Sequence, residues 1–154
     1  MTPSARVLYI AEPHAAYLAR PPLVVDCSLI SGLVFNEHWQ VLASERIVNR
    51  ALHAPFLLQA EMASVAVKKS RQAQQQIAQD GMVLFQSMDI SLHPLRALEV
   101  VSLALRYQLS GYDAAYLWLA AELNAPLATF DEKLAAAALT HLAVLIFASL
   151  PIVM

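Results

Sequence analysis

The sequence predicts an α/β fold of three layers, α/β/α, with a mostly parallel central sheet. Two observations carry that expectation. Short apolar runs closed by acidic or turn residues, such as Leu23-Val24-Val25 before Asp26, suit strands covered on both faces better than half-solvated ones. Between these runs lie segments with helical spacing, so successive strands need crossover connections, and crossovers join parallel strands. The composition agrees. Hydrophobic residues make up 58% of the 154 and charged residues 14%, which excludes intrinsic disorder and supplies the core of one domain.

Along the chain, Pro21-Pro22 leads a first strand over 23–25, and Asp26 closes it. Residues 28–35 place Leu29, Ile30, Leu33 and Val34 at helical spacing. A second amphipathic helix is expected over 39–52, with Glu45, Arg46 and Arg50 toward water. Ala54-Pro55-Phe56-Leu57 reads as extended, because a proline biases its predecessor away from helix. A helix follows over 58–70, and the Gln-rich stretch 71–79 is helix-compatible until Asp80-Gly81 ends it. A strand is expected over 83–87, where Val83, Phe85 and Ser87 alternate with Leu84 and Gln86. Helices over 94–107 and 110–123, a strand over 126–130 and a helix from Asp131 complete the alternation.

The 21 residues 134–154 carry no charge and are long enough to span a bilayer. Thr140, His141, Ser149 and Pro151 interrupt them, so they read instead as a helix end over 134–139, a turn and a buried strand over 143–147. No membrane association is expected. The amino-terminal apolar stretch is broken by Glu12, Pro13, His14 and Arg20 and does not read as a signal peptide. The expected organisation is an extension of unknown role over 1–22, the domain over 23–148 and a short apolar tail over 149–154.

Charge and cysteine usage narrow the function. A net charge of −2 gives no global positive field, which weighs more against a pure RNA-binding module than against a metal-dependent nuclease. One cysteine, Cys27, excludes an internal disulfide and metal sites built on cysteine pairs, and points to a reducing cytoplasm. Three glycines, Gly32, Gly81 and Gly111, form no phosphate-binding loop. The five histidines show no metal-ligand spacing. Lys68, Lys69 and Arg71, with Arg46, Arg50, Arg96 and Arg106, either line an RNA path or form solvated helix faces.

The informative residues are the acids. Asp26 closes the first strand, Glu61 lies early in the helix after Pro55, Asp113 opens the 110–123 helix and Asp131 follows the last clear strand. In an open parallel sheet, strand-to-helix junctions gather at the carboxyl edge, where ligand crevices form. Carboxylates converging there bind a hard divalent cation through oxygen, and such a cation supports in-line attack on a phosphodiester. Each acid also has a structural explanation. Asp26 can cap the following helix, Ser110 with Asp113 forms a capping-box-like pattern, and Thr129 with Glu132 has capping-box spacing that makes Asp131 a first-turn acid. Glu61 stands out, because its neighbours from Leu57 to Ala66 are nearly all apolar.

Val24-Val25-Asp26-Cys27-Ser28, Ala54-Pro55 with Ala60-Glu61, Tyr112-Asp113-Ala114 and Leu127-Ala128-Thr129-Phe130-Asp131 resemble, in order and spacing, the four motif regions of the PIN domain family. The resemblance covers residues 23–147 and is nearest to the small bacterial PIN toxins of VapC type. It implies a ribonuclease, the toxin of a type II toxin–antitoxin pair, that uses one or two Mg²⁺ or Mn²⁺ ions. It implies that Asp26, Glu61, Asp113 and Asp131 form the catalytic metal site, and that Ser28 and Thr129 position substrate or water. An RNA substrate, a cognate antitoxin and a homodimer follow as expected partners. The first strand begins later in this chain than is usual in such toxins, and the apolar tail is longer. The alternative that keeps the fold is a catalytically inactive PIN-like module binding RNA or protein.

Overall fold

A computed structural model of the chain describes residues 20–148. Four strands, β1 (Pro22–Val25), β2 (Ala51–Pro55), β3 (Ile90–His93) and β4 (Leu127–Ala128), form one sheet in the order β3-β2-β1-β4. All three pairings are parallel; Val24 lies between His53 of β2 and Leu127 of β4. Around the sheet are α1 (Cys27–Val34), α2 (Gln40–Ile47), α3 (Leu57–Arg71), α4 (Gln75–Ser87), α5 (Ala97–Tyr107), α6 (Gly111–Glu122) and α7 (Glu132–Ala148).

The strand order fixes where the helices go. From β1 the chain steps to β2 and β3 in one direction, then returns past β1 to β4. Right-handed crossovers place the connecting helices on one face for the outward steps and on the other for the return. Accordingly α1 packs with α2, α3 and α4, while α6 packs with α5, α7, β1 and β2. The innermost of these helices is α6, in which every residue from Ala114 to Ala120 is buried, as expected for a helix apolar on all sides. Val24, Val25, Leu29, Ile30, Leu58, Met62, Tyr116 and Leu117 form the centre of the core.

Several elements differ from the sequence expectation, each for a physical reason. The second helix ends at Ile47 rather than reaching residue 52, because Ala51 and Leu52 pair with Pro22 and Leu23 in the sheet. The strand expected over 83–87 is helix: α4 runs through Gly81 to Ser87, and Val83, Leu84 and Gln86 face solvent. Gly81 does not terminate that helix; a Cβ there would stand 2.3 Å from the Phe35 ring and 2.8 Å from the Val34 carbonyl. The residue is small so that α4 can lie against the end of α1. The third strand is instead Ile90–His93, whose first residue pairs with Leu52. The expected break at 140–142 and the strand over 143–147 are absent; α7 continues through Thr140 and His141 to Ala148. There the Thr140 hydroxyl donates to the Ala136 carbonyl, a bond that a helix interior accommodates. Among the described residues no helix is long and apolar enough to cross a membrane. The extension over 1–22, apart from residues 20–22, and the tail over 149–154 lie outside the described residues.

Candidate active site

The strand order reverses between β1 and β4, and the crevice beyond their carboxyl ends is the natural ligand position in such a sheet. Asp26 directly follows β1, and Thr129 directly follows β4. Asp26 is the one buried charged residue among the described residues, 4% exposed. Its Oδ1 accepts from the Leu29 backbone N–H at 3.0 Å and from the Ser28 hydroxyl at 2.7 Å, so it caps α1. Its Oδ2 accepts from the Thr129 hydroxyl at 2.5 Å. Ser28 Oγ in turn accepts from the Phe130 N–H at 2.8 Å, and Thr129 Oγ1 from the Asp131 N–H at 2.9 Å. One polar network therefore ties the ends of two neighbouring strands around a single carboxylate.

Glu61 lies in the second turn of α3 and is half-buried. Its Oε2 accepts a short hydrogen bond from the Tyr116 hydroxyl of α6. Asp113, three residues earlier on α6, is also half-buried, and its N–H is capped by Ser110 Oγ at 3.0 Å. These acids feel one another. Burial raises the proton affinity of Asp26 against its hydrogen bonds to Thr129, Leu29 and Ser28, and the nearby Asp113 charge raises it further. Burial raises that of Glu61 as well, opposed by the Tyr116 hydrogen bond and reinforced by the Asp113 and Asp26 charges. No basic side chain is among the groups acting on either. The ion pairs among the described residues engage other acids: Lys69 with Glu37, and Arg96 with Glu99 and Glu122.

Asp131 stands apart from this set. It is exposed, and its Oδ1 accepts from the Leu134 N–H at 2.7 Å, capping α7. Asp26 and Ser110 thus perform the capping roles that the sequence suggested, whereas Asp131, expected as a first-turn acid, is itself a cap. For α7 the cap is Asp131 itself rather than Thr129. The structure brings Asp26, Glu61 and Asp113 into mutual electrostatic reach, with Ser28 and Thr129 on Asp26.

The sequence profile of the PIN domain matches residues 23–139. The chain belongs to the PIN domain family. Two curated relatives of this PIN domain are VapC ribonuclease Mb0985 of Mycobacterium bovis and Ribonuclease VapC9 of Mycobacterium tuberculosis. Each is 32% identical over 117 residues, covering 73% of this chain and 87% of the relative. Among solved structures, PAE2754 from Pyrobaculum aerophilum superposes with a TM-score of 0.61 over 82% of this chain and 98% of its own, at 22% identity, a likeness of fold.

Two further side chains lie beside the acids. Cys27 is half-buried against Glu61 and Asp26, and burial together with their charges pushes its thiol up to about 12, so it is an unreactive neighbour. Tyr116 is 1% exposed, and burial with its bond to Glu61 pushes its hydroxyl far above the usual range, which keeps it a neutral donor. The signal that finds it is its spacing: on α6 it sits one turn beyond Asp113, on the same side. The donor set of this PIN domain is all oxygen and negative, and among the described residues no cation acts on Asp26 or Glu61, which fits a hard divalent ion. Among the described residues no three acidic, histidine or cysteine side chains stand close enough to chelate one ion. Mg²⁺ in particular is commonly held by one or two carboxylates, with waters and substrate phosphate completing its shell.

Proposed function

We propose that the chain is a divalent-metal-dependent endoribonuclease that hydrolyses RNA phosphodiester bonds, the toxin of a type II toxin–antitoxin pair acting in the cytoplasm. The observation that supports it most is the uncompensated carboxylate group of Asp26, Glu61 and Asp113 beside the reversal point of the sheet. Membership of the PIN family and relatives named as VapC ribonucleases point the same way. Asp26, Glu61 and Asp113 would hold one or two Mg²⁺ or Mn²⁺ ions, with Asp131 contributing from the exposed rim. When bound, such a cation neutralises phosphoryl oxygens and makes water a better nucleophile at neutral pH.

The protein's own residues set the stage for that chemistry. Ser28 and Thr129 hold the Asp26 carboxylate in one orientation, and Leu29 N–H favours its charged form. Thr129 and Ser28 also fix the backbone of Asp131 and Phe130, so the rim of the crevice is set by the same hydroxyls. A single-stranded or looped RNA fits an acid-rich crevice, because its flexible backbone can enter without a broad basic surface. Lys69 is already committed to Glu37 at 2.6 Å, which leaves Lys68 and Arg71 as the exposed cations of α3 for RNA or antitoxin.

Cleavage of a mixed RNA pool by antitoxin-free protein, with Mg²⁺, Mn²⁺ or EDTA, tests this reading. Cleavage that requires the metal and falls at least 100-fold in Asp26→Asn is the expected outcome. Metal-independent cleavage, or an Asp26→Asn protein as active as the wild type, overturns the assignment.

A further inference from the structure

Phe130 lies between Thr129 and Asp131, and its N–H donates to the Ser28 hydroxyl that also holds Asp26. Its backbone is therefore anchored at the rim of the acid crevice, and the residue stays 36% exposed. Behind it stands Trp39, the residue before α2, with the two ring centroids 5.8 Å apart and the planes inclined at 47°. Gly32, one turn beyond Ser28 on the same side of α1, makes room for the indole; a Cβ there would stand 1.9 Å from Nε1 and 2.3 Å from Cδ1. The exposed His38 meets the indole edge to face at 4.4 Å. In this packing the Trp39 N–H is buried with no hydrogen-bond partner among the described residues. An orphaned donor costs free energy, so Trp39 contributes through its ring. Trp118 differs: it is 6% exposed, and its N–H donates to Glu99 at 2.7 Å between α6 and α5.

We propose that Phe130, backed by Trp39, is a stacking platform for an unpaired RNA base beside the scissile phosphate. The inference rests on RNA as the ligand in the reading above and adds where the strand is gripped. The crevice is acidic, and no basic side chain acts on Asp26 or Glu61, so phosphate contacts with the protein supply little of that grip. A base presents an uncharged face, and its stacking on an aromatic ring needs no neutralised phosphate. The platform is also fixed beforehand, because Ser28 holds the Phe130 backbone and Trp39 backs its ring, so little ordering is left to binding. Only a base released from its neighbours can reach it, which favours single-stranded or looped RNA over a duplex. Every base has such a face, so the platform sets grip and register rather than sequence.

Fluorescence anisotropy of a fluorescein-labelled, random-sequence RNA hexamer, titrated in EDTA with the full chain free of antitoxin, reads binding apart from cleavage. Phe130→Leu keeps an apolar side chain against Trp39 without a ring, and is expected to weaken binding about 10-fold, within the range for losing one stacked base. Phe130→Tyr restores the ring and is expected to bind within about twofold of the wild type. The same sugar-phosphate chain without bases is expected to bind the wild type about 10-fold more weakly than the RNA does. A folded Phe130→Leu protein, checked by circular dichroism, that binds RNA as tightly as the wild type overturns the proposal. A base-free chain held as tightly as RNA overturns it too, and that comparison needs only the wild type, so it decides even if the variant does not fold. A wild type that does not bind the hexamer at all has the same consequence. Binding that depends on the Phe130 ring, in a protein without metal-dependent cleavage, upholds the platform and removes the nuclease reading alone.

Discussion

At the scale of the residue, the acids hold opposed demands. Asp26 and Glu61 are packed where burial and the Asp113 charge favour their protonated forms, so the metal-free fold bears the strain of keeping them ionised. A carboxylic acid whose proton affinity is raised on folding binds more protons folded than unfolded, and stability then falls as pH rises through that window. For Asp26 and Glu61 the window opens near their ordinary values of 3.8 and 4.5 and closes at the raised folded values. Asp113→Asn removes a like charge from both. In EDTA it is expected to match the wild type near pH 3 and to exceed it at pH 7 by roughly 0.2–1 kcal/mol in urea unfolding, the size of a partly exposed charge interaction. A variant less stable than wild type at pH 7 would show that the Asp113 charge does not burden the fold. The places of the four acids at element junctions or in apolar surroundings were legible in the sequence, whereas the separation of Asp131 from Asp26, Glu61 and Asp113 was not. Nor was Tyr116, because inside an apolar helix an aromatic residue reads as core, and nothing local marks the carboxylate that meets it from 55 residues away.

At the scale of the element, boundaries were set by neighbours more often than by local preference. The motif-bearing elements, β1, α3, α6 and the turn after β4, follow from the sequence, because their apolar runs and caps are local signals. The segment from 71 to 93 does not. Its helix α4 and strand β3 are decided by what they touch, with Gly81 placed for contact rather than termination and Ile90 recruited by Leu52. Gly81 also makes a sharp prediction. By helix propensity alone, Gly81→Ala would stabilise α4 by about 1 kcal/mol. Because the new methyl meets Phe35 and the Val34 carbonyl, the variant is expected to lose about 1–3 kcal/mol instead, read as a lower urea midpoint. A gain in stability would mean that α4 stands further from α1 than described.

At the scale of the whole molecule, an apolar chain has more to cover than one core. The 58% hydrophobic content leaves α5 with Leu98 at 85%, Leu105 at 77% and Val101 at 53% exposed. A face of this kind is well suited to a second copy or a partner protein, and a homodimer is its simplest cover. Light scattering after size exclusion is expected to give the dimer mass for the wild type and the monomer mass for Leu98→Glu with Leu105→Glu, both with native circular dichroism. A wild-type monomer across the micromolar range would move the dimer elsewhere or remove it. The parallel class of the sheet was legible from alternation alone, whereas its order was not, since β4 contributes only two residues and its place beside β1 depends on contacts with Pro126 and Ala128.

The network that joins Asp26 to Thr129 spans 103 positions, and β4 enters the sheet after every other strand. Synthesis runs from the amino terminus, so the nascent polypeptide carries Asp26, Glu61 and Asp113 outside the ribosome well before the residues that complete the Asp26 setting. A translation product that ends between Asp113 and Thr129 has three of the acids but lacks the Thr129 hydroxyl that completes the Asp26 setting. Long-range closure of this kind is also slow compared with local helix formation. The interval between emergence and closure is thus a period in which the protein is made but its acid cluster is not yet assembled.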